Sequence, residues 1–512
     1  MTEAALFVGG RVYTGRRRAE ALLVENGRVL AVGAEGAVRR EAPVGVDRRD
    51  LAGGLVVPGP VDAHLHLGEL VRQRAGVDAS AAASVPELAA ALARRRAERP
   101  DAAVIGRGID PERLAEKRWP TPEELDAAVP DVPVILYHAS GHGAVLNSAA
   151  LARLPEGSAG AGVPRSGRPP GVLLEAELRQ VESVADESGV LTPEALEREL
   201  RELAALGLTA AGAMNVGRRE LELLQRLAGG GRLPLKVFAY PGVELWRGIP
   251  PGASSGGERL RLAGFKAFLD GAFGPRTASL QAPYADDPSG RGVDREDDPD
   301  LGAAIARARE EGVTPALHAI GDRAVERAVR LLAGAGPTAV PGRIEHASLT
   351  PPHLWGPLRR LGAGLVVQPG FLRTDRWLPA RLGAERVRWA YAFRTLADLG
   401  IPLAGSSDAP FDSADPWRGM AAAVLRTDNL GRSANPRPEE ALTHEEALGL
   451  YTVGARRALG DAAGGLLEVG GSADLVVLGV PRLRDAILAG GAAVRETWVE
   501  GRPSAPHRPP GV

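Results

Sequence analysis

Val313-Thr314-Pro315-Ala316-Leu317-His318, the helical pattern Ala324–Leu332, and Arg343-Ile344-Glu345-His346 read together as one strand–helix–strand unit. Each strand candidate is short and closed by a histidine. The same alternation extends in both directions. Strand candidates are Leu208–Ala213, Leu235–Tyr240, Gly264–Leu269, Gly364–Gln368 and Pro402–Ser406, and Leu55–His66 completes a set of eight. Helical periodicity marks Pro193–Leu206, Arg218–Leu227, Leu301–Glu311, Pro352–Leu361 and Val387–Leu399. A last helix, Glu445–Leu459, follows the N-cap candidate Thr443 with Glu446 at the capping-box position. Strands alternating with helices predict an α/β fold with a parallel sheet, and eight units predict a closed (β/α)8 TIM barrel.

The flanks read differently. Residues 3–57 carry short strand candidates, with Asn26-Gly27 as a hairpin signal. Ala473–Leu478 and Ala493–Glu500 repeat that style. The expected organisation is a composite β-sandwich from both termini (1–57 and 462–512) around a barrel spanning 58–461. Residues 69–190 are read as an insertion after the first barrel strand, at the face where such barrels place active sites. It carries strand-like runs at Val104–Ile109 and Val134–His138, and a helix near 86–97.

Composition narrows the function. Sixty-two Lys and Arg oppose 64 Asp and Glu, a net charge of −2, so no global field attracts nucleic acid or an anionic membrane. There are no cysteines, which excludes disulfides and thiolate metal sites. Met1–Gly15 lacks the pattern of a signal peptide and no apolar run is long enough to span a bilayer. The expectation is a cytoplasmic protein with a small-molecule substrate. A homodimer is compatible with the sequence.

The chemistry-bearing residues cluster at one end of the predicted strands. In Asp62-Ala63-His64-Leu65-His66, strand alternation points His64 and His66 the same way, as a grip for a metal. His318 and His346 end the fifth and sixth strands, and Asp408 follows the eighth in Ser406-Ser407-Asp408. Lys266 lies inside the fourth, in Phe265-Lys266-Ala267-Phe268. Arg is the default base of this chain, with lysine only at 117, 236 and 266. A lysine in an apolar strand has a specific use: carbamylated by CO2, it becomes an anion able to bridge two cations, which arginine cannot. His142 sits in a Gly-rich loop and is a candidate to bind or polarise substrate. In the long loop after the fourth strand, Arg276 and Tyr284 are candidate substrate contacts. Phe371, Trp377 and Trp389 are candidates for an apolar wall or for helix packing. Glu345 and Asp322 are candidates to orient ligand histidines, with a helix-cap role equally open for Asp322.

These motifs carry a resemblance. Val57-Pro58-Gly59-Pro60-Val61-Asp62-Ala63-His64-Leu65-His66, Ser140-Gly141-His142-Gly143-Ala144-Val145-Leu146-Asn147-Ser148, Phe265–Ala278, Leu317–Asp322, Arg343–His346, Ser406–Pro410 and Gly470–Val477, in this order, resemble amidohydrolase family 3 of the amidohydrolase superfamily. That group includes YtcJ-like and N-substituted formamide deformylase-like proteins. The resemblance implies two divalent metal ions, with zinc the expected metal. His64, His66 and Asp408 would hold the more buried ion, His318 and His346 the second, and carbamylated Lys266 would bridge them. It implies hydrolysis of a non-peptide carbon–nitrogen bond, in an amide or an N-acyl or N-formyl amine, by a metal-activated hydroxide, with Asp408 moving the proton. One departure is Ala213, where relatives often carry Asp. The alternatives are a mononuclear deaminase of the same superfamily and a non-catalytic scaffold with this fold; the first usually lacks the bridging lysine and the second typically loses metal ligands.

Overall fold

The computed structural model describes residues 4–504, except 101, 140, 142, 155–168, 175–176, 179, 182–183, 185–188, 251, 253–258, 296–299, 335–341, 428–431, 434, 436 and 462–463. The chain forms two compact units, Leu67–Leu196 and the remainder. Among the described residues no helix is long and apolar enough to cross a membrane.

The larger unit has an α/β architecture. The strands that matter for the site are β1 (Val61–Leu65), β2 (Ala210–Val216), β3 (Lys236–Pro241), β4 (Gly264–Phe268), β5 (Thr314–Ala319), β6 (Arg343–His346), β7 (Gly364–Val367) and β8 (Leu403–Gly405). They form two parallel sheets. One is ordered Leu260–Leu262, β3, β2, β1, and the other β4 to β8 in sequence. A parallel bridge joins Gly242 to Lys266 at one margin. At the other, Asp408 N donates to His64 O (2.8 Å) and His66 N to Ala409 O (2.8 Å). Links at both margins are compatible with the expected (β/α)8 barrel. The strands are buried on both faces, which is why they read as apolar runs rather than alternating ones.

Around them lie two further sheets. Arg28–Gly33, Ala21–Glu25, Ala4–Val8 and Asp47–Asp50 form one, entirely N-terminal. The other mixes both ends of the chain: Arg502–Pro503, Val494–Val499, Leu475–Leu478, Leu55–Pro58, Arg11–Tyr13 and Arg18–Ala19. Phe7, Leu22, Val24, Val56, Leu475 and Trp498 belong to a core cluster drawn from both sheets.

The single strand expected over Leu55–His66 is two. Leu55–Pro58 pairs antiparallel with Leu475–Leu478, whereas Val61–Leu65 pairs in parallel with β2. The residues between explain the break. Pro58 and Pro60 have no N–H for a ladder. Gly59 crosses Thr209 so closely that a Cβ would lie 2.2 Å from its methyl group. The chain therefore steps from one sheet to the next, carrying His64 and His66 into the parallel layer.

The helix expected over Val387–Leu399 is also interrupted. Helices occupy Leu378–Val387 and Phe393–Asp398. Between them Tyr391 N donates to Ser348 O (3.0 Å) and Thr350 N to Trp389 O (3.2 Å), so the backbone bonds sideways instead of along a helix. The final helix starts as expected at the Thr443–Glu446 capping box but widens into a π turn over Leu450–Gly454.

The smaller unit holds a five-stranded sheet ordered Val172–Leu174, Gly143–Leu146, Val134–His138, Val104–Ile109 and Val77–Asp78. Helix Val85–Glu98 starts at Ser84, whose side chain accepts from Glu87 N, and Pro122–Ala128 starts with a Thr121–Glu124 capping box. Its core includes Leu88, Leu92, Val104 and Val134.

Candidate metal centre

Strand register assembles the site. Phe268 of β4 pairs with His318, His318 with Glu345, and Ala319 with His346, so these side chains come from one end of neighbouring strands. His64, His346 and Asp408 each offer a ligand atom, and these atoms lie within 4.8 Å of one another. Asp408 Oδ1 is 3.2 Å from His64 Nε2 and 3.1 Å from His66 Nε2. The His346 ring centroid is 5.1 Å from that of His64 and 4.5 Å from that of His318. Lys266 is 1% exposed, with its Nζ 4.8 Å from the Phe268 ring centre.

Among the described residues, three buried polar atoms here have no hydrogen-bond partner: His64 Nε2, Asp408 Oδ1 and Lys266 Nζ. Native interiors rarely leave such atoms unsatisfied unless an ion or water completes them. Imidazole and carboxylate are donors that suit zinc and similar divalent ions. The residues therefore fit a metal.

The opposite nitrogen of each of three rings is engaged. His64 Nδ1 lies 2.5 Å from Glu345 Oε2. His346 Nδ1 lies 2.8 Å from Gln368 Oε1, and His318 Nε2 lies 3.0 Å from Gly271 O. Such contacts fix tautomer and ring direction in metal sites. Gln368, the residue after β7, is not among the sequence-based candidates. The strand-end position that marks His346 and Asp408 could have found it.

Burial controls protonation. It pushes His346 down to about 3 and lowers His66 as well, keeping both neutral and able to donate to a metal. It brings Lys266 down to about 8, against the pull of Glu345 and Asp408 and with the help of Arg343 and Arg295. That enlarges the neutral amine population, the form that reacts with CO2. Burial would raise Asp408, but His64, His66 and His346 together hold it well below the usual carboxylate range. His346 (φ 71°) and Asp408 (φ 58°) both sit in the left-handed backbone region. Strain of this kind, worth about 1–3 kcal/mol per residue, collects at functional sites.

The surroundings fix the loops. Asp270, fully buried, accepts from Ile320 N (3.0 Å), Gly321 N (2.8 Å) and Ser279 N (2.9 Å), tying the loop after β4 to the end of β5. Asp270→Ala strands those donors, each costing about 1–3 kcal/mol. Chemical denaturation is expected to show a loss of at least about 2 kcal/mol; an unchanged midpoint would remove this role. Asp322 accepts from Gln281 N (3.0 Å) and Arg323 N (3.1 Å), an anchoring role at the start of its helix. Aromatic rings pack on three of the histidines: Phe371 parallel to His346, Phe411 edge-on to His66 and Phe268 tilted on His318. Trp377 lies against Gly274, where a Cβ would be 3.3 Å from the indole, and Trp389 packs partly buried against the main core.

The other expected site residues lie as follows. Tyr284 is 1% exposed and its hydroxyl donates to Ala278 O (2.8 Å), so it braces the loop from inside. Arg276 pairs with Asp286 at 3.0 Å and is partly exposed. His142 lies outside the described residues. Ala213 is buried in β2 opposite Ala239 and Leu65.

The family model described as "Amidohydrolase family" matches residues 48–505. The chain belongs to this amidohydrolase family. It is 31% identical over 499 residues to YtcJ of Bacillus subtilis (strain 168), an amidohydrolase by description, covering 93% of this chain and 94% of that one. It is 29% identical over 523 residues to N-substituted formamide deformylase of Arthrobacter pascens, covering 94% of each. The crystal structure of an uncharacterized metal-dependent hydrolase from Pyrococcus horikoshii OT3 superposes with a TM-score of 0.80 at 33% identity, covering 93% of this amidohydrolase and 97% of that chain. Within this family, His64, His346 and Asp408 are this chain's candidate metal site.

Proposed function

We propose that this amidohydrolase cleaves a carbon–nitrogen bond other than a peptide bond, in an N-acyl or N-formyl amine or a related amide, at a binuclear centre on a closed (β/α)8 barrel. The observation that carries the reading is the set of unpartnered buried atoms on His64, Asp408 and Lys266 among the described residues, clustered with His346. The N-substituted formamide deformylase relative supports the choice of bond. His64, His66 and Asp408 would hold one ion. His318, through Nδ1, and His346, through Nε2, would hold the other, with carbamylated Lys266 between them. Zinc is the metal that suits these donors. Two such ions, when bound, supply the Lewis acidity that makes a water nucleophilic near neutral pH.

The chain's own groups do the rest. Asp408 accepts the proton of the attacking water at a carboxylate oxygen and delivers it to the leaving nitrogen. His64, locked through its far nitrogen, keeps that carboxylate in place. His142 is retained as a candidate to polarise the substrate carbonyl.

The test pairs metal counting with turnover. Zinc-loaded protein is assayed against N-formyl and N-acyl amines, carbamates, cyclic imides, esters and aminated heterocycles. Two ions per chain and release of amine from an amide are expected. One ion with ammonia released from a heterocycle would instead favour a deaminase. No metal and no turnover would favour a scaffold.

A further inference from the structure

We infer that Arg343 and Glu345 form a buried clamp that holds His64 as a single-tautomer metal ligand, an assignment that rests on the metal-centre reading above. Both residues lie on β6 two positions apart, so they share a face, and both are 0% exposed. The Arg343 guanidinium grips the carboxylate with two nitrogens: Nε to Oε1 at 2.5 Å and Nη2 to Oε2 at 2.8 Å. Nη2 also donates to Ala63 O at 2.7 Å, the carbonyl immediately before His64 on β1. The clamp thus seizes His64 twice, by its preceding backbone and, through Glu345 Oε2, by its ring.

Chemistry makes the hold directional. An ionised carboxylate only accepts hydrogen bonds, so Nδ1 of His64 must carry the proton. The lone pair is then on Nε2, the atom 3.2 Å from Asp408 Oδ1 that has no hydrogen-bond partner. The neighbouring ligand is held more weakly. His346 faces the neutral amide of Gln368, whose NH2 group is spent on Val366 O and Ser406 Oγ. His64 Nδ1 has the closer carboxylate contact among these rings, 2.5 Å from Glu345 against 3.5 Å from His318 Nε2 to Asp270 Oδ1, which makes it the stronger donor. Arg343 supplies the opposite charge, so the carboxylate adds nothing to the net charge beneath the site. Stability does not explain the arrangement, because buried ion pairs are often replaceable by apolar groups of similar size without loss.

That last point supplies the test. Arg343→Met combined with Glu345→Leu removes both charges at once, and Glu345→Gln keeps an acceptor at the same place. Thermal melting and circular dichroism report folding, and chelator competition reports zinc affinity without any assay of turnover. The double variant is expected to stay folded and bind zinc roughly 10- to 100-fold more weakly. Glu345→Gln should fall between it and the wild type. Wild-type affinity in the folded double variant or in Glu345→Gln would overturn the clamp. A wild type that binds no zinc would instead sink the metal-centre reading itself. Should the double variant not fold, 15N-histidine spectra of the intact metal-free protein decide, with the His64 signal assigned by its loss in His64→Asn. Protonation at Nδ1 is expected, and protonation at Nε2 would overturn the proposal.

Discussion

Asp408→Asn is expected to keep most of its metal and lose roughly 10²- to 10⁴-fold in kcat, the range that a positioned general base contributes. Asparagine matches aspartate in shape and still presents an oxygen ligand. The backbone that aims it does not depend on the charge: Asp408 N donates to His64 O (2.8 Å), and Phe411 N donates to Asp408 O (2.9 Å). The variant keeps one oxygen ligand but removes the charge and with it the ability to take a proton. Metal content and steady-state kinetics on one preparation, using the best amide from the substrate panel, separate the two roles. Metal retained with turnover lost assigns proton transfer to Asp408. Metal retained with near-normal turnover would take that role away.

Lys266→Ala is expected to lose metal and to lower turnover by roughly 100-fold or more, since ligation worth several kcal/mol is removed at tenfold per about 1.4 kcal/mol. The fold should tolerate the change. Among the described residues Lys266 Nζ makes no hydrogen bond that the variant would break, and the strand around it is held by Phe265, which is fully buried, and by its ladder to β5. Truncation at a site 1% exposed leaves a cavity lined by the ligands. A short carboxylic acid such as formate, acetate or propionate can enter it and supply the bridging oxygens. Partial recovery of metal content and turnover with added acid, absent in the wild type, is the expected result. Full metal content and activity in Lys266→Ala without any acid would contradict the bridging role.

Legibility in the sequence followed the physics of each signal. β5 and β6 were readable because a short strand-length run closed by a histidine, one on each side of a clear helix, is both a strand pattern and a chemical mark, and their bounds differ from the expected ones by a residue at most. Leu55–His66 misled because an apolar run does not reveal which sheet it enters. The information lay in Pro58-Gly59-Pro60, where backbone donors are missing and Thr209 comes too close for a side chain. The helix across Trp389 failed for the complementary reason: its periodicity was adequate, but Ser348 and Thr350, distant in sequence, compete for its backbone.

The site shows the same division. The cluster of His64, His346 and Asp408 was visible from strand ends. Their supporting atoms were less so. Gly271 is used through its carbonyl, which has no sequence signature. Arg343 looks like any arginine in an Arg-rich chain until its burial beside Glu345 is known. Tyr284, a plausible substrate contact by its place in a long loop, turns inward because Ala278 O offers its hydroxyl a partner.

The most direct test is a crystal structure of the zinc-loaded protein with anomalous data collected on both sides of the zinc edge. Two peaks are predicted, one against His64, His66 and Asp408 and one against His318 and His346, with added density on the Lys266 amine between them. Peaks elsewhere, or a fully ordered site without any, would contradict the account.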